Sequence, residues 1–310
     1  MLFRSRYKVK VLEETSTIHV YNGDVIKSDT AVPSSLKDLL RAAVAPLEDI
    51  PERKKDWHPG SDKKVLDLVH PSLFPLVYGR TRILPDTLTT LEDCVLNSGS
   101  GKASVRERHP THAYSTKFQW LPCDVDVRGD GVQLVFLICF YIVYSDFSFH
   151  RITSYINNLH PQKHRDLYSI IENIIGCVIP LWNKTLTGLK YPETNLSRTP
   201  YKALLVWPKD YDYEELEKMT DAEYEQRRKQ WYEDNWLRLQ PEPAPFQAPE
   251  KPAKDVDLRR DYAGSGLQII VKLANIELTP ENPTYDGGSW HVEGMLVSSC
   301  SIKCSFNFMT

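Results

Sequence analysis

The chain has 310 residues, with 38 Lys and Arg against 41 Asp and Glu, a formal net charge of −3. That balance leaves no electrostatic footprint for nucleic acid or for an anionic membrane surface. A charged fraction of 25% excludes a collagen-like or wholly disordered chain, and the length suffices for one large domain or two smaller ones with a real core.

The opening MLFRSRYKVKVLEETS lacks the continuous apolar stretch of a signal peptide, so a cytoplasmic location is expected. Residues Thr17 to Lys27 read as a hairpin around Asn22-Gly23, because both turn positions favour φ > 0. Ser35 to Ala45 reads as a helix: Leu36, Leu39, Leu40 and Ala43 share a face, Ser35 is placed as N-cap and Pro46 as stop. Glu52 to Lys64 is charged and reads as a loop, and Val69 to Tyr78 as extended but irregular chain around Pro71 and Pro75. Thr116 to Pro122 predicts a short strand with Phe118 and Trp120 on one face.

Val132 to Tyr144 is almost wholly apolar, yet shorter than the roughly 20 residues that span a bilayer. Pro161 to Ile179 is the clearest helix, with Leu167, Ile170, Ile171, Ile174, Ile175 and Val178 in one stripe and Pro180 expected to end it. A polar helix is expected from about Asp221 to Trp236, with Thr220 and Glu223 spaced as a capping box. Five prolines between Gln240 and Lys254 predict a stiff, extended connector. Leu267 to Leu278 reads as β structure, followed by a turn at Asp286-Gly287-Gly288.

Several motif-like strings fail on chemistry. Ser98 to Lys102 lacks the first glycine of a phosphate loop, and Ala103 stands where Mg²⁺ requires a hydroxyl. Asp124, Asp126 and Gly129 imitate a calcium loop, but Arg128 occupies a ligand position. Cys94, Cys123, Cys139, Cys177, Cys300 and Cys304 form no CxxC, so reduced thiols are expected rather than a zinc knuckle or disulfide framework. His291-x-Glu293 differs: on a strand the two side chains share a face and supply two-thirds of a 2-His-1-carboxylate iron site. Two solvated residues on a strand edge are the plainer alternative for that spacing. No His follows in the remaining seventeen residues.

Longer blocks carry a resemblance. Lys55-Asp56-Trp57-His58-Pro59-Gly60-Ser61, Leu68 to Arg80 (LVHPSLFPLVYGR), Phe118 to Val125, Ile152 to Pro161, Ile179 to Asn183 and Leu267 to Met295 resemble, in order, a large fungal family, domain of unknown function 4246 (DUF4246). That family in turn resembles Fe(II)/2-oxoglutarate dioxygenases. The resemblance implies an α+β protein built on a partial double-stranded β-helix, jelly-roll-like, with flanking helices and its C-terminal strands missing. It implies His291 and Glu293 as metal ligands beside Trp290 and Tyr285, with no catalytic residue assigned and no stable retention of Fe(II) or 2-oxoglutarate, since the distal His and the Arg clamp have no counterpart here. The partner would be a small-molecule substrate of unknown identity, with no nucleic acid and no membrane.

The implied organisation is an N-terminal part at 1–131, an apolar insert without family counterpart at 132–150, a helical region at 151–238, a Pro-rich linker at 239–256, and the start of the β-helix core with a divergent tail at 257–310. The insert reads as translated intervening sequence, with a lineage-specific insertion as the alternative. The function so implied is that of a truncated, inactive oxygenase relative. The rival is a non-catalytic scaffold that uses the Pro241 to Pro252 segment to dock a partner.

Overall fold

A computed structural model of the chain describes residues 2–20, 25–105, 119–128, 151–196, 218–235 and 246–288. The chain divides into two compact units, residues 1–27 with 187–253, and residues 28–186 with 254–310.

In the first unit, helix α1 (Leu2–Thr15) leads through Ser16, at φ 52°, into strand β1 (Ile18–Val20), which pairs antiparallel with β2 (Val25–Lys27). The hairpin expected around Asn22-Gly23 is thus present as a strand pair; residues 21–24 lie outside the described residues. Helix α1 was not expected, because Tyr7, Val9 and Val11 alternate at the strand period rather than the helix period. Lys8 Nζ donates to the His19 carbonyl over 3.0 Å and ties α1 to the hairpin. Helix α4 (Asp221–Asn235) carries the expected capping box: Thr220 N–H donates to Glu223 Oε2 over 2.9 Å, and Glu223 N–H donates back to Thr220 Oγ1 over 3.4 Å.

In the second unit, α2 (Ser34–Glu48) buries Leu36, Leu40 and Val44. It departs from expectation at both ends. Its N-cap is Pro33, and it runs through Pro46. A proline so near the C-terminus forfeits only one helical bond, and Leu47 beyond it packs on the core. Leu39 is exposed, so the buried face is one residue narrower than the sequence suggests.

Helix α3 spans Arg165–Lys190, past Pro180, which was expected to end it. Ile179, Trp182 and Leu186 on either side of Pro180 belong to the hydrophobic cluster, and their burial outweighs the ~3 kcal/mol an interior proline costs. Its stripe is buried as expected at Leu167, Ile170, Ile171, Ile175 and Val178, with Ile174 packed at the margin. Its residues from Thr187 onward fall in the first unit.

Among the described residues, ten strands form four small antiparallel sheets. One has the order β10–β4–β3, built from β3 (Asp56–Trp57), β4 (Val65–Val69) and β10 (Leu273–Ile276). Another is β8–β7–β9, from β7 (Cys123–Asp126), β8 (Arg151–Ile152) and β9 (Leu267–Ile269). The single β run expected at Leu267 to Leu278 is therefore two strands in two sheets, β9 on β7 and β10 on β4, joined through Ile270-Val271-Lys272. Of the strand expected at Thr116 to Pro122, a single bridge from Gln119 to Leu76 lies within the described residues.

The remaining pair is β5 (Arg82–Ile83) with β6 (Lys102–Ala103). Gly101, at φ +80°, precedes β6, and any Cβ there would collide with the Ile83 carbonyl oxygen. The phosphate-loop lookalike is thus a strand-entry turn that needs glycine for backbone approach. Cys94, Cys123 and Cys177 are free thiols; burial pushes the Cys123 thiol up to about 12, which makes it inert. The class is α+β. Among the described residues the sheets have two or three strands each and no double-stranded β-helix is formed. The insert at 132–150 lies outside the described residues, and no described helix is long and apolar enough to cross a membrane.

Candidate metal centre

The sequence around β4 is Val65-Leu66-Asp67-Leu68-Val69, and all five residues are buried. An aspartate in the middle of such a strand must find partners, because a lone buried carboxylate is far too costly. The register supplies them. Strand β3 pairs antiparallel with β4 and sets Asp56 directly opposite Asp67. His58 follows two residues after Asp56, so strand parity sends both side chains to one face. His70 follows immediately after β4.

The loop from His58 to Lys64 is held tightly. His58 N–H donates to the Val65 carbonyl over 2.9 Å, Ser61 N–H to the His58 carbonyl over 3.1 Å, and Val65 N–H to the buried Ser61 Oγ over 3.3 Å. Gly60 turns at φ 76°, and Asp62 and Lys63 follow at φ 50° and 56°. Outside the loop, Glu52 accepts from Trp57 Nε1 over 3.0 Å and from Lys63 Nζ over 3.1 Å. The Lys63 hydrogen bond, ahead of the one from Trp57, holds the exposed Glu52 carboxyl below its usual range.

These constraints bring His58, Asp67 and His70 together, with one ligand atom of each lying within 4.8 Å of the others. A carboxylate only accepts, so His58 Nδ1–H donates to Asp67 Oδ2 over 2.8 Å and His70 Nδ1–H to Asp56 Oδ2 over 2.7 Å. His70 Nδ1 is also 3.4 Å from Asp67 Oδ2, and the two rings lie 6.0 Å apart, tilted by 47°. The Asp67 side chain is 0% exposed, that of His70 15% and that of His58 40%. Asp67 Oδ1 is buried and makes no hydrogen bond. The Lys272 ammonium, on the β9–β10 connection, stands 3.7 Å from it.

Two imidazoles and a carboxylate so disposed can hold a divalent transition-metal ion, with Asp56 orienting His70 from behind. The sequence reading missed this cluster, having placed Glu52 to Lys64 in a charged loop. The signal was present as an acidic residue inside a five-residue apolar strand, with His three positions on and a second His before it. Of the residues expected to hold metal, His291 and Glu293 lie outside the described residues, as does Trp290; Tyr285 is half-buried in the irregular chain after β10.

No curated protein and no solved structure matches the chain. A family model does, over residues 2–300, under the description Protein of unknown function (DUF4246). The match takes in the cluster at 58–70, both three-stranded sheets and the His291-x-Glu293 pair, and it begins upstream of the blocks that carry the resemblance. The chain belongs to the DUF4246 family.

Proposed function

We propose that this chain is a relative of Fe(II)/2-oxoglutarate oxygenases that does not turn over 2-oxoglutarate by itself. The observation that carries the reading is the His291-x-Glu293 pair near the end of the family match, just downstream of the strand segment β9–β10. Two residues of this spacing on a strand present an imidazole and a carboxylate to one point, and such a pair with a second His leaves positions open on Fe(II). Iron and 2-oxoglutarate, when bound, supply the oxidising chemistry for a small organic substrate. The role of His291 and Glu293 is to offer two ligand atoms. The described β strands would flank a jelly-roll-like core, and a cytoplasmic location belongs to the same reading.

The pair supplies two of the three protein ligands that such an iron site uses, and two ligands hold Fe(II) weakly. The test is anaerobic Fe(II) titration in the presence of 2-oxoglutarate, in a His58→Ala/His70→Ala background that removes the other cluster. Weak iron binding, lost in His291→Ala and in Glu293→Ala, with no visible charge-transfer band and no 2-oxoglutarate consumption, is the expected result. A tight, 2-oxoglutarate-dependent band or measurable turnover overturns the silent reading. Iron binding indifferent to both substitutions overturns the ligand assignment.

A further inference from the structure

We propose that His58, Asp67 and His70 form a separate divalent transition-metal site, of the zinc class, which clamps the β3–β4 hairpin and is independent of the His291-x-Glu293 pair. Three observations converge on it. The ligand atoms of the three side chains already lie within 4.8 Å of one another. Asp67, at 0% side-chain exposure, keeps Oδ1 without a hydrogen bond. Asp56 sits directly across the strand pair from Asp67, and like charges so placed repel unless something positive lies between them.

The charge count points the same way. Asp56 and Asp67 set two carboxylates opposite one another on paired strands. Among the described residues, Lys272 is the lysine paired with these carboxylates, 3.7 Å from Asp67 and 39% exposed. A doubly charged ion beside Asp67 would add positive charge that one partly exposed lysine supplies only in part. The ligand chemistry selects its kind. Two nitrogens and a carboxylate oxygen suit Zn²⁺, Fe²⁺, Co²⁺ or Ni²⁺, whereas Ca²⁺ and Mg²⁺ require shells of six or more oxygens. Three protein ligands leave a position for water, and His58 at 40% exposure gives the ion a route in.

Asp56 and Lys272 then have defined parts. Asp56, hydrogen-bonded to His70 Nδ1 at 2.7 Å, is a positioning residue that orients the imidazole. Lys272 is a competitor: its ammonium neutralises Asp67 in the absence of the ion and opposes the ion's arrival. The ion would join two points of the chain, the end of β3 and the end of β4, across the loop that contains Asp62 and Lys63 at positive φ.

The experiment uses the full 310-residue chain stripped with chelator, titrated with Zn²⁺ by equilibrium dialysis and with Co²⁺ by visible absorption. One ion per chain is expected, retained in His291→Ala/Glu293→Ala and weakened at least 100-fold in His58→Ala/His70→Ala, with far-UV circular dichroism confirming that each variant is folded. Asp56→Asn is expected to weaken binding by about 10- to 100-fold. Lys272→Ala, at a partly exposed position, is expected to tighten it by about fivefold or more, as removal of one positive charge a few ångströms from a dication requires. That variant keeps the test open if the double His variant fails to fold. Absence of a bound ion in the parent chain would show a hydrogen-bonded network only and overturn the proposal. So would unchanged binding in a folded His58→Ala/His70→Ala chain, or no tightening in Lys272→Ala. Loss of the ion in His291→Ala/Glu293→Ala alone would assign it to the oxygenase-like pair and overturn this site instead.

Discussion

Helix α3 and strand β4 are both buried, yet they achieve burial with opposite chemistry. The buried face of α3 is a stripe of Leu, Ile and Val; Tyr168 and Glu172 on it find local partners, while the Trp182 indole Nε1 is buried without one. Tyr168 accepts from Ile156 N–H over 3.0 Å and donates to the Leu159 carbonyl over 2.8 Å, and Glu172 Oε1 accepts from Ile152 N–H over 2.7 Å. Strand β4 is apolar but for its central residue, and that residue gathers four charged or titratable neighbours from three segments. The first arrangement is stabilised by area removed from water and tolerates a proline inside the helix. The second is held by a few directional contacts and leaves one oxygen without a hydrogen bond. A region of the first kind is a scaffold; one of the second kind is where a ligand would change the energy most.

The largest break in this comparison should come from the oily side. Ile171 is buried at the centre of the α3 stripe. Ile171→Ala is expected to cost about 2–5 kcal/mol, the range for large-to-small changes in a packed core. Urea denaturation measures it. A loss below about 0.5 kcal/mol, the usual surface value, would mean that the stripe does not hold the sheet.

The ionic side should give a smaller but informative loss. Asp67→Asn keeps the shape and removes the charge, so His58 Nδ1–H and Lys272 lose a charge-assisted partner. In chelator the expected cost is about 1–3 kcal/mol, because His58 and Lys272 are exposed enough for water to take over part of the solvation. A variant more stable than the parent in chelator would show that Asp67 is held at a cost, as binding sites often are. Thermal melts with and without Zn²⁺ separate the two contributions.

These two regions also differ in how far the sequence revealed them. The α3 stripe follows from residue spacing alone, because burying one helix face forces apolar residues onto a 3.6 period. What spacing did not reveal was that the helix survives Pro180, since that depends on Trp182 and Leu186 finding the cluster, a tertiary fact. The Asp67 cluster was harder still. Asp56, His58, Asp67, His70 and Lys272 span more than two hundred positions and meet through strand pairing of β3 with β4 and β10 with β4. Local reading saw a charged run at Glu52 to Lys64 and took it for a loop. The split of Leu267 to Leu278 into two sheets escaped for the same reason, as an apolar alternating run does not say which partner each half will take.

Helix α4 sharpens the comparison from outside both regions, being polar on all sides. Its start depends on the reciprocal bonds of Thr220 and Glu223, and the Thr220 side-chain hydrogen bond is the leading cause that holds the exposed Glu223 carboxyl below its usual range. Thr220→Ala is expected to cost about 1 kcal/mol, typical of a lost N-cap. Hydrogen exchange at the amides of the first turn reports it. Faster exchange confined to that turn is the expected pattern, and no change there would show that packing rather than capping carries the helix.

The smallest expected effect tests whether α3 is as purely apolar in its energetics as in its composition. Glu172 sits at the margin of the stripe, and burial, the leading cause, raises its carboxyl above the ordinary value of 4.5, against the opposing Ile152 N–H and Arg151. A folded-state pKa above the unfolded one means that the folded chain holds its proton more tightly. The stability this contributes is present below about pH 4.5 and is lost as pH rises through the folded value. Glu172→Gln keeps an oxygen to accept from Ile152 N–H but cannot ionise. The difference in urea midpoint, variant minus parent, should therefore grow as pH rises from about 4.5 through the folded value and then level off, by a modest amount because Glu172 is only half-buried and water screens it. A difference that shrinks as pH rises would mean that the ionised carboxylate is the stabilising form. The Ile152 bond and Arg151 would then outweigh desolvation, and α3 would share with β4 a dependence on charge that its stripe conceals.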